Sequence, residues 1–164
     1  MDAYIGFLNS GGLRGGFERG QITHADILGV LPFQNNIDLI TIKGSDLRQT
    51  LLDSASRLSE DGKQTSGGFL QVSGKLSCTL IFEVDNLVLY LGIQFTIDLS
   101  RPKNDRIIEL KVNTGSGYED IVDEKVYKVV TTNYVANKGG DGYKVPQYKL
   151  SQMDGMPYRL IKTV

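Results

Sequence analysis

"GFLNSGGLRGGFERGQITHADILGVLPF", residues 6–33, sets an apolar run against a glycine-rich bend and then a helix-like stretch that ends on a proline. Residues 4–9 (YIGFLN) read as a strand that halts on Asn9. Gly11, Gly12, Gly15 and Gly16 surround Arg14, and the two before it are expected to admit positive φ. Helical spacing begins after Thr23. Thr23 and Asp26 fit the pattern in which a hydroxyl and a carboxylate cap each other's backbone N–H groups, and Ile22 with Ile27 fits the apolar staple across that cap. Pro32 disfavours helical backbone at Leu31, which places Phe33 past the helix end.

Working outward, IDLITIK (37–43) reads as a second strand. Gly44 turns the chain, Ser45 is a candidate cap, and Leu47, Leu51, Leu52, Ala55 and Leu58 recur on one face of a second helix. Residues 59–68 are a polar loop, followed by the short extended stretch FLQVS (69–73). Ile93, Phe95 and Ile97 alternate with polar residues, as do Ile108, Leu110 and Val112. SRPKNDR (100–106) supplies turn chemistry between these two strands. VYKVVTTNYV (126–135) is a β-rich run that ends at ANKGGDGY, and the tail after Tyr143 is polar and poorly periodic. The expectation is an α+β or mixed layered domain with two main helices and about seven strands.

The 164 residues suit one domain, 1–164, with a real core. A net charge of −1 offers no broad basic field for a nucleic-acid polymer or an anionic membrane. Nothing in the chain reads as a signal peptide, a lipid-anchor signal or a long apolar span. The single cysteine, Cys78, allows no internal disulfide, and with one histidine, His24, the chain is not expected to build a metal site by itself.

Three stretches offer recognition chemistry. In NSGGLRGG, Asn9 can donate and accept, and the planar fork of Arg14 suits carboxylate or phosphate. The stretch equally reads as a glycine turn with a solvated arginine, and it lacks the lysine of a Walker loop. In LPF, Phe33 is free to stand in a cleft, although burial in the core is the commoner fate of phenylalanine. In TTNYVANKGGDGY, Tyr134 stands near a strand end and Asp141 lies among Gly139, Gly140 and Gly142. Asp141 could accept bonds from a sugar hydroxyl or close its own turn. Together the three offer two aromatics for a base and polar groups for its sugar and an anion. No nucleophile, general base or metal cluster accompanies them.

In order along the chain, LNSGGLR, ITHADILGVLPF, GGFLQVSG, DLSRP and VVTTNYVANKGGDGY resemble the C-terminal domain of the 5'-nucleotidase family, which includes apyrase-like proteins and UDP-sugar hydrolases. The resemblance spans most of residues 4–143. It implies a nucleoside-binding domain that works with an N-terminal metallophosphatase domain holding two divalent metals, expected to be zinc, and the catalytic histidine. It implies that Asn9 and Arg14 contact substrate, that Phe33 and Tyr134 sandwich the base, and that Asp141 binds ribose hydroxyls. It also implies an AMP- or adenosine-like ligand, an extracellular or cell-surface location, a role in nucleotide catabolism and a possible homodimer. No catalytic residue is expected in this chain, and alone it is expected to be inactive. The alternative is a stand-alone, non-catalytic nucleoside-binding module.

The sequence departs from the family's pattern in three places. The metal-binding motifs are absent, so the chain reads as a fragment, a truncated gene model or a stand-alone domain. Lys138 adds one residue between Tyr134 and Asp141, which puts their geometry in question. Residues 75–92 (KLSCTLIFEVDNLVLYLG) interrupt two strands that the family joins directly, and about 11 of these 18 residues are apolar. Each such side chain forfeits about 1.5–3 kcal/mol if left in water. The segment reads as an added hairpin turning at Asp85-Asn86, a partner-binding patch or a translated intron, and the intron is the reading preferred.

Overall fold

The computed structural model describes residues 4–78, 92–137, 139–145 and 156–157. Its elements are β1 (Tyr4–Asn9), α1 (His24–Val30), β2 (Asn36–Lys43), α2 (Gly44–Ala55), β3 (Leu70–Val72), β4 (Gly74–Cys78), β5 (Ile93–Ile97), β6 (Ile107–Asn113), β7 (Tyr118–Asp120), β8 (Val126–Thr132), α3 (Asn133–Ala136) and β9 (Met156–Pro157). A five-stranded sheet has the order β3-β1-β8-β2-β9, and a four-stranded sheet the order β4-β5-β6-β7. The α+β expectation holds. Nine strands lie among the described residues, and β4, β7 and β9 are additional to the six stretches read individually as strands.

α2 joins the sheets. It contacts β2 in one and β6 in the other. Leu47, Leu51 and Ala55 are fully buried, and they share one core with Ile5, Phe7, Ile40, Ile42, Phe95, Leu110, Val112 and Val129. Leu52 and Leu58, placed on the same face by periodicity, are only half-buried. The start of α2 corrects the reading of Ser45 as its cap. The helix begins at Gly44, and no side chain caps it. Instead Gly44 N–H donates to Lys125 O at 2.9 Å and Ser45 N–H to Asp123 O at 3.1 Å, so a neighbouring turn satisfies the orphan donors. Glycine is required at 44 because a Cβ there would lie 2.2 Å from Val122 O.

The other end of α2 is closed by Arg106, which is 1% exposed. Its Nη1 donates to Ala55 O at 3.2 Å and to Leu58 O at 2.7 Å. A cation at a helix C-terminus meets the negative end of the helix dipole and pairs the carbonyls that the last turn leaves free.

α1 forms as expected, with the reciprocal cap of Thr23 and Asp26 in place. Those bonds hold the Asp26 carboxyl below the ordinary carboxylate range. In β6 the alternation slips. Leu110 and Val112 are buried but Ile108 is exposed, because a bulge pairs Thr96 with Glu109 and Ile97 with Ile107, leaving Ile108 unpaired.

The long insertion leaves and returns at one place. Ile93 N–H donates to Ser73 O at 2.9 Å, and a Cβ on Gly92 would lie 2.3 Å from that same oxygen. The hairpin turn read at Asp85-Asn86 lies outside the described residues.

Candidate functional site

β1 and β8 run parallel, with Ile5 opposite Val129 and Gly6 opposite Val130. Their carboxyl ends, Asn9 and Thr132, therefore emerge on the same edge. β2 is antiparallel to β8 and starts on that edge, with Ile37 opposite Thr132. The loop before β2 carries Phe33, and the turn after β8 carries Tyr134. β3 pairs Leu70 with Asn9, which brings Gly67 and Gly68 to the same edge. Sheet topology alone gathers every segment that the sequence had singled out. Ligands in sheets of this kind commonly lie beyond the carboxyl ends of parallel strands.

The glycine bend is anchored by backbone bonds. Ser10 N–H donates to Phe69 O and Gly11 N–H to Gly67 O, both at 2.7 Å. Neither Gly11 nor Gly12 has positive φ, which corrects the sequence reading. The reason for glycine at 11 is close approach: a Cβ would lie 3.1 Å from Gly67 O. Further along, Arg14 N–H donates to Val30 O at 2.9 Å, tying the bend to the end of α1. The Arg14 side chain is exposed and makes no ion pair among the described residues. Its guanidinium carbon lies 5.2 Å from the centre of the Phe33 ring, a cation–π contact.

Phe33 is 51% exposed, so it is not a core aromatic. It lines a narrow cleft with Asn9, Gly12, Leu31, Gln34 and Thr132. Gln34 has φ of 47°, a left-handed conformation uncommon for a residue with a side chain.

Asn9 is 6% exposed. Its Nδ2 donates to Asp141 Oδ2 at 3.0 Å, and its buried Oδ1 has no hydrogen-bond partner. Thr132 Oγ1 and Asn133 Oδ1, beside it at the end of β8, are also buried and unpartnered. Unsatisfied buried polar atoms are costly, about 1–3 kcal/mol each, and they concentrate where something else completes the bonding.

The β-rich run ends sooner than its sequence implies. β8 stops at Thr132, and Tyr134 sits on the single turn of α3. Lys138 lies outside the described residues. The added residue there does not separate Tyr134 from Asp141: Asp141 N–H donates to Tyr134 Oη at 3.3 Å. Gly140 is buried under the Tyr134 ring, where a Cβ would fall 2.3 Å from a ring carbon. Asp141 itself has φ of 54°, and Gly139 and Gly142 also have positive φ.

Contacts link the five residues in series, although Tyr134 packs against the core and does not line the cleft that holds Phe33 and Asn9. Arg14 touches Phe33, Phe33 and Asn9 line one cleft, Asn9 binds Asp141, and Asp141 binds Tyr134. Sequence reasoning missed Arg57. Its Nη2 donates to Asp141 O at 2.6 Å, and the motifs give no signal for it. His24, at the first position of α1, takes no part in this group. Leu8 and Thr132 also line a second hollow of about 340 Å³ with Gly6, Ile37, Val72 and Val130, an almost wholly apolar place without Phe33 or Asp141. Among the described residues no three His, Cys, Asp or Glu side chains gather as a metal site, so these residues do not fit a metal of their own. No helix among them is long and apolar enough to cross a membrane.

A half-exposed aromatic, an acidic left-handed turn and unpartnered amide and hydroxyl oxygens lie together where β1 and β8 end. Residues 1–148 match the family described as "5'-nucleotidase, C-terminal domain", and the chain belongs to that family. It is 32% identical to human 5'-nucleotidase over 154 residues, which are 90% of this chain and 23% of that protein. It is 31% identical to a 5'-nucleotidase-related protein of Glossina morsitans morsitans, covering 87% of this chain and 22% of that one. Among solved structures, a 5'-nucleotidase precursor from Thermus thermophilus superposes with a TM-score of 0.71 at 31% identity, over 89% of this chain and 25% of that one. The chain therefore spans less than a quarter of the length of these two curated relatives.

Proposed function

We propose that this chain binds the nucleoside part of a nucleotide and serves as the substrate-recognition domain of a 5'-nucleotidase-like hydrolase. The observation that carries this reading is the connected group of Arg14, Phe33, Asn9, Asp141 and Tyr134 at one sheet edge. Phe33 and Tyr134 would hold the base, at about 1–3 kcal/mol for a stacked base. Asp141, its second oxygen tied to Asn9, would accept bonds from ribose hydroxyls. Arg14, free of any ion pair among the described residues, would meet the phosphate, at about 1.5–3 kcal/mol for a charge-assisted bond.

Hydrolysis of the phosphate ester needs an activated water, and two divalent metals on a preceding N-terminal domain would supply it. This chain's part is to bind and orient: stacking fixes the base, Asp141 the sugar, and Arg14 the direction in which the phosphate leaves the cleft. The relatives' greater length leaves room for such a domain. Activity on AMP-like substrates, an extracellular or cell-surface setting and pairing of two copies belong to the same proposal.

Calorimetric titration of the chain with adenosine and with AMP tests it. The expected result is saturable heat for both, with AMP the tighter, and a loss of about tenfold or more in Phe33→Ala. Absence of heat with either ligand, or identical curves for wild type and Phe33→Ala, would overturn the proposal.

A further inference from the structure

Arg57 stands just past α2, outside every motif that points to the cleft, yet it is the residue on which the Asp141 turn closes. Its Nη2 donates to Asp141 O at 2.6 Å, and its guanidinium carbon lies 4.6 Å from the centre of the Tyr143 ring. Tyr143 is 3% exposed and its hydroxyl donates to Gly68 O at 2.6 Å. Gly68 completes the enclosure: a Cβ there would lie 2.5 Å from Arg57 Nη1 and 3.0 Å from Asp141 Cβ. Segments remote in sequence thus lock one guanidinium between a ring, a bare backbone and the carbonyl of Asp141.

The lock matters because Asp141 is a non-glycine residue with φ of 54° and ψ of 18°. An L-residue held there is strained by its Cβ, and such a conformation persists only where its surroundings fix it. Three atoms of Asp141 are held: the N–H by Tyr134, one carboxylate oxygen by Asn9, and the carbonyl by Arg57. Of the three, only the Arg57 bond brings a cation to the turn's backbone, with one face of that cation covered by an aromatic ring. A planar fork can stack on Tyr143 and donate in its own plane at the same time, which an ammonium cannot do.

We propose that Arg57 is a positioning residue that sets selectivity for the ribose: by holding the Asp141 turn left-handed, it aims the carboxylate at a vicinal pair of sugar hydroxyls. This inference rests on the nucleoside-binding reading above. It adds that selection between a sugar bearing both hydroxyls and one lacking them depends on a side chain that never touches the ligand.

The test compares adenosine with 2',3'-dideoxyadenosine on wild type, Arg57→Ala and Arg57→Lys, with a thermal melt of each. Wild type should prefer adenosine by about tenfold or more, the worth of one hydrogen bond to a charged group. Arg57→Ala should bring that ratio close to one by weakening adenosine alone, and Arg57→Lys should fall between. An unchanged ratio in folded Arg57→Ala overturns the inference, as does an equal loss for both ligands, which marks a merely structural role. If Arg57→Ala does not melt cooperatively, Arg57→Lys decides, and a wild-type ratio there overturns it. Wild type binding neither ligand would reject the nucleoside reading and this inference with it. Wild type binding both equally would reject this inference and leave base stacking standing.

Discussion

Residues 13–20, which carry Arg14, and residues 139–143, which carry Asp141, each touch a residue of the Phe33 cleft, Phe33 and Asn9 respectively, but are held in opposite ways. In the first loop every residue is exposed, and glycines 15 and 16 would each accept a Cβ with no atom within 4 Å. In the second, Gly140 and Tyr143 are buried, and Asp141 is bonded at three atoms. The difference maps onto the two ends of the proposed ligand. A sugar presents fixed hydroxyls and needs an acceptor already in place, because an acceptor that must be ordered on binding costs affinity. A phosphate offers several equivalent oxygens and tolerates a long, adaptable cation. The Asp141 turn is bonded into the fold, whereas the Arg14 loop lies exposed.

Paired glycine substitutions should break this contrast most visibly. Gly140→Ala drives a methyl into the Tyr134 ring, so it should cost about 1–3 kcal/mol of stability and abolish nucleoside binding. Gly15→Ala, in open space and without positive φ, should be neutral or stabilising by about 0.4–1 kcal/mol. Urea melts of both variants check the pair, and equal effects would erase the distinction drawn between the loops. Arg14→Ala should weaken AMP by about tenfold or more and adenosine little, read by titration, because only the phosphate uses that side.

Tyr143→Phe tests the clasp more gently. It removes the bond to Gly68 O and should cost about 0.5–1.5 kcal/mol near neutral pH. Burial pushes the Tyr143 hydroxyl above the ordinary tyrosine range. The folded state thus holds that proton more tightly than the unfolded chain. The resulting stability is full below about pH 10 and is lost as pH rises through the raised value. Tyr143→Phe should lack that part of the alkaline decline, measurable as a shallower fall of melting temperature above about pH 10. The most local effect belongs to the open side. Thr23→Ala removes the α1 cap, about 1 kcal/mol, and should loosen the LPF turn without reaching the Asp141 loop. Hydrogen exchange confined to residues 22–33 is the expected readout.

The contrast also explains what the sequence could and could not reveal. Short-range chemistry was legible. The Thr23–Asp26 cap, the stop at Pro32 and the strand ending on Asn9 all depend on residues within a few positions of one another. Alternation located β5, whose inward Ile93, Phe95 and Ile97 are all fully buried. It misjudged Ile108, because a bulge changes which parity faces inward, and a bulge depends on the partner strand. Ser45 was misread as a cap because the actual acceptors, Asp123 and Lys125, come from a distant turn. Arg57 was invisible for the same reason. Its role exists only once α2, Gly68 and the turn after β8 meet, and no local pattern records that meeting. The residues expected to touch ligand could be named through family resemblance, whereas the residue that holds one of them in place could not.

A crystal of the chain soaked with adenosine tests the central claim most directly. The account predicts a purine between Phe33 and Tyr134 with its ribose hydroxyls on the Asp141 carboxylate. A purine in the apolar hollow beside Gly6 and Val130, or rings of Phe33 and Tyr134 that leave no gap for it at saturating ligand, would contradict the account.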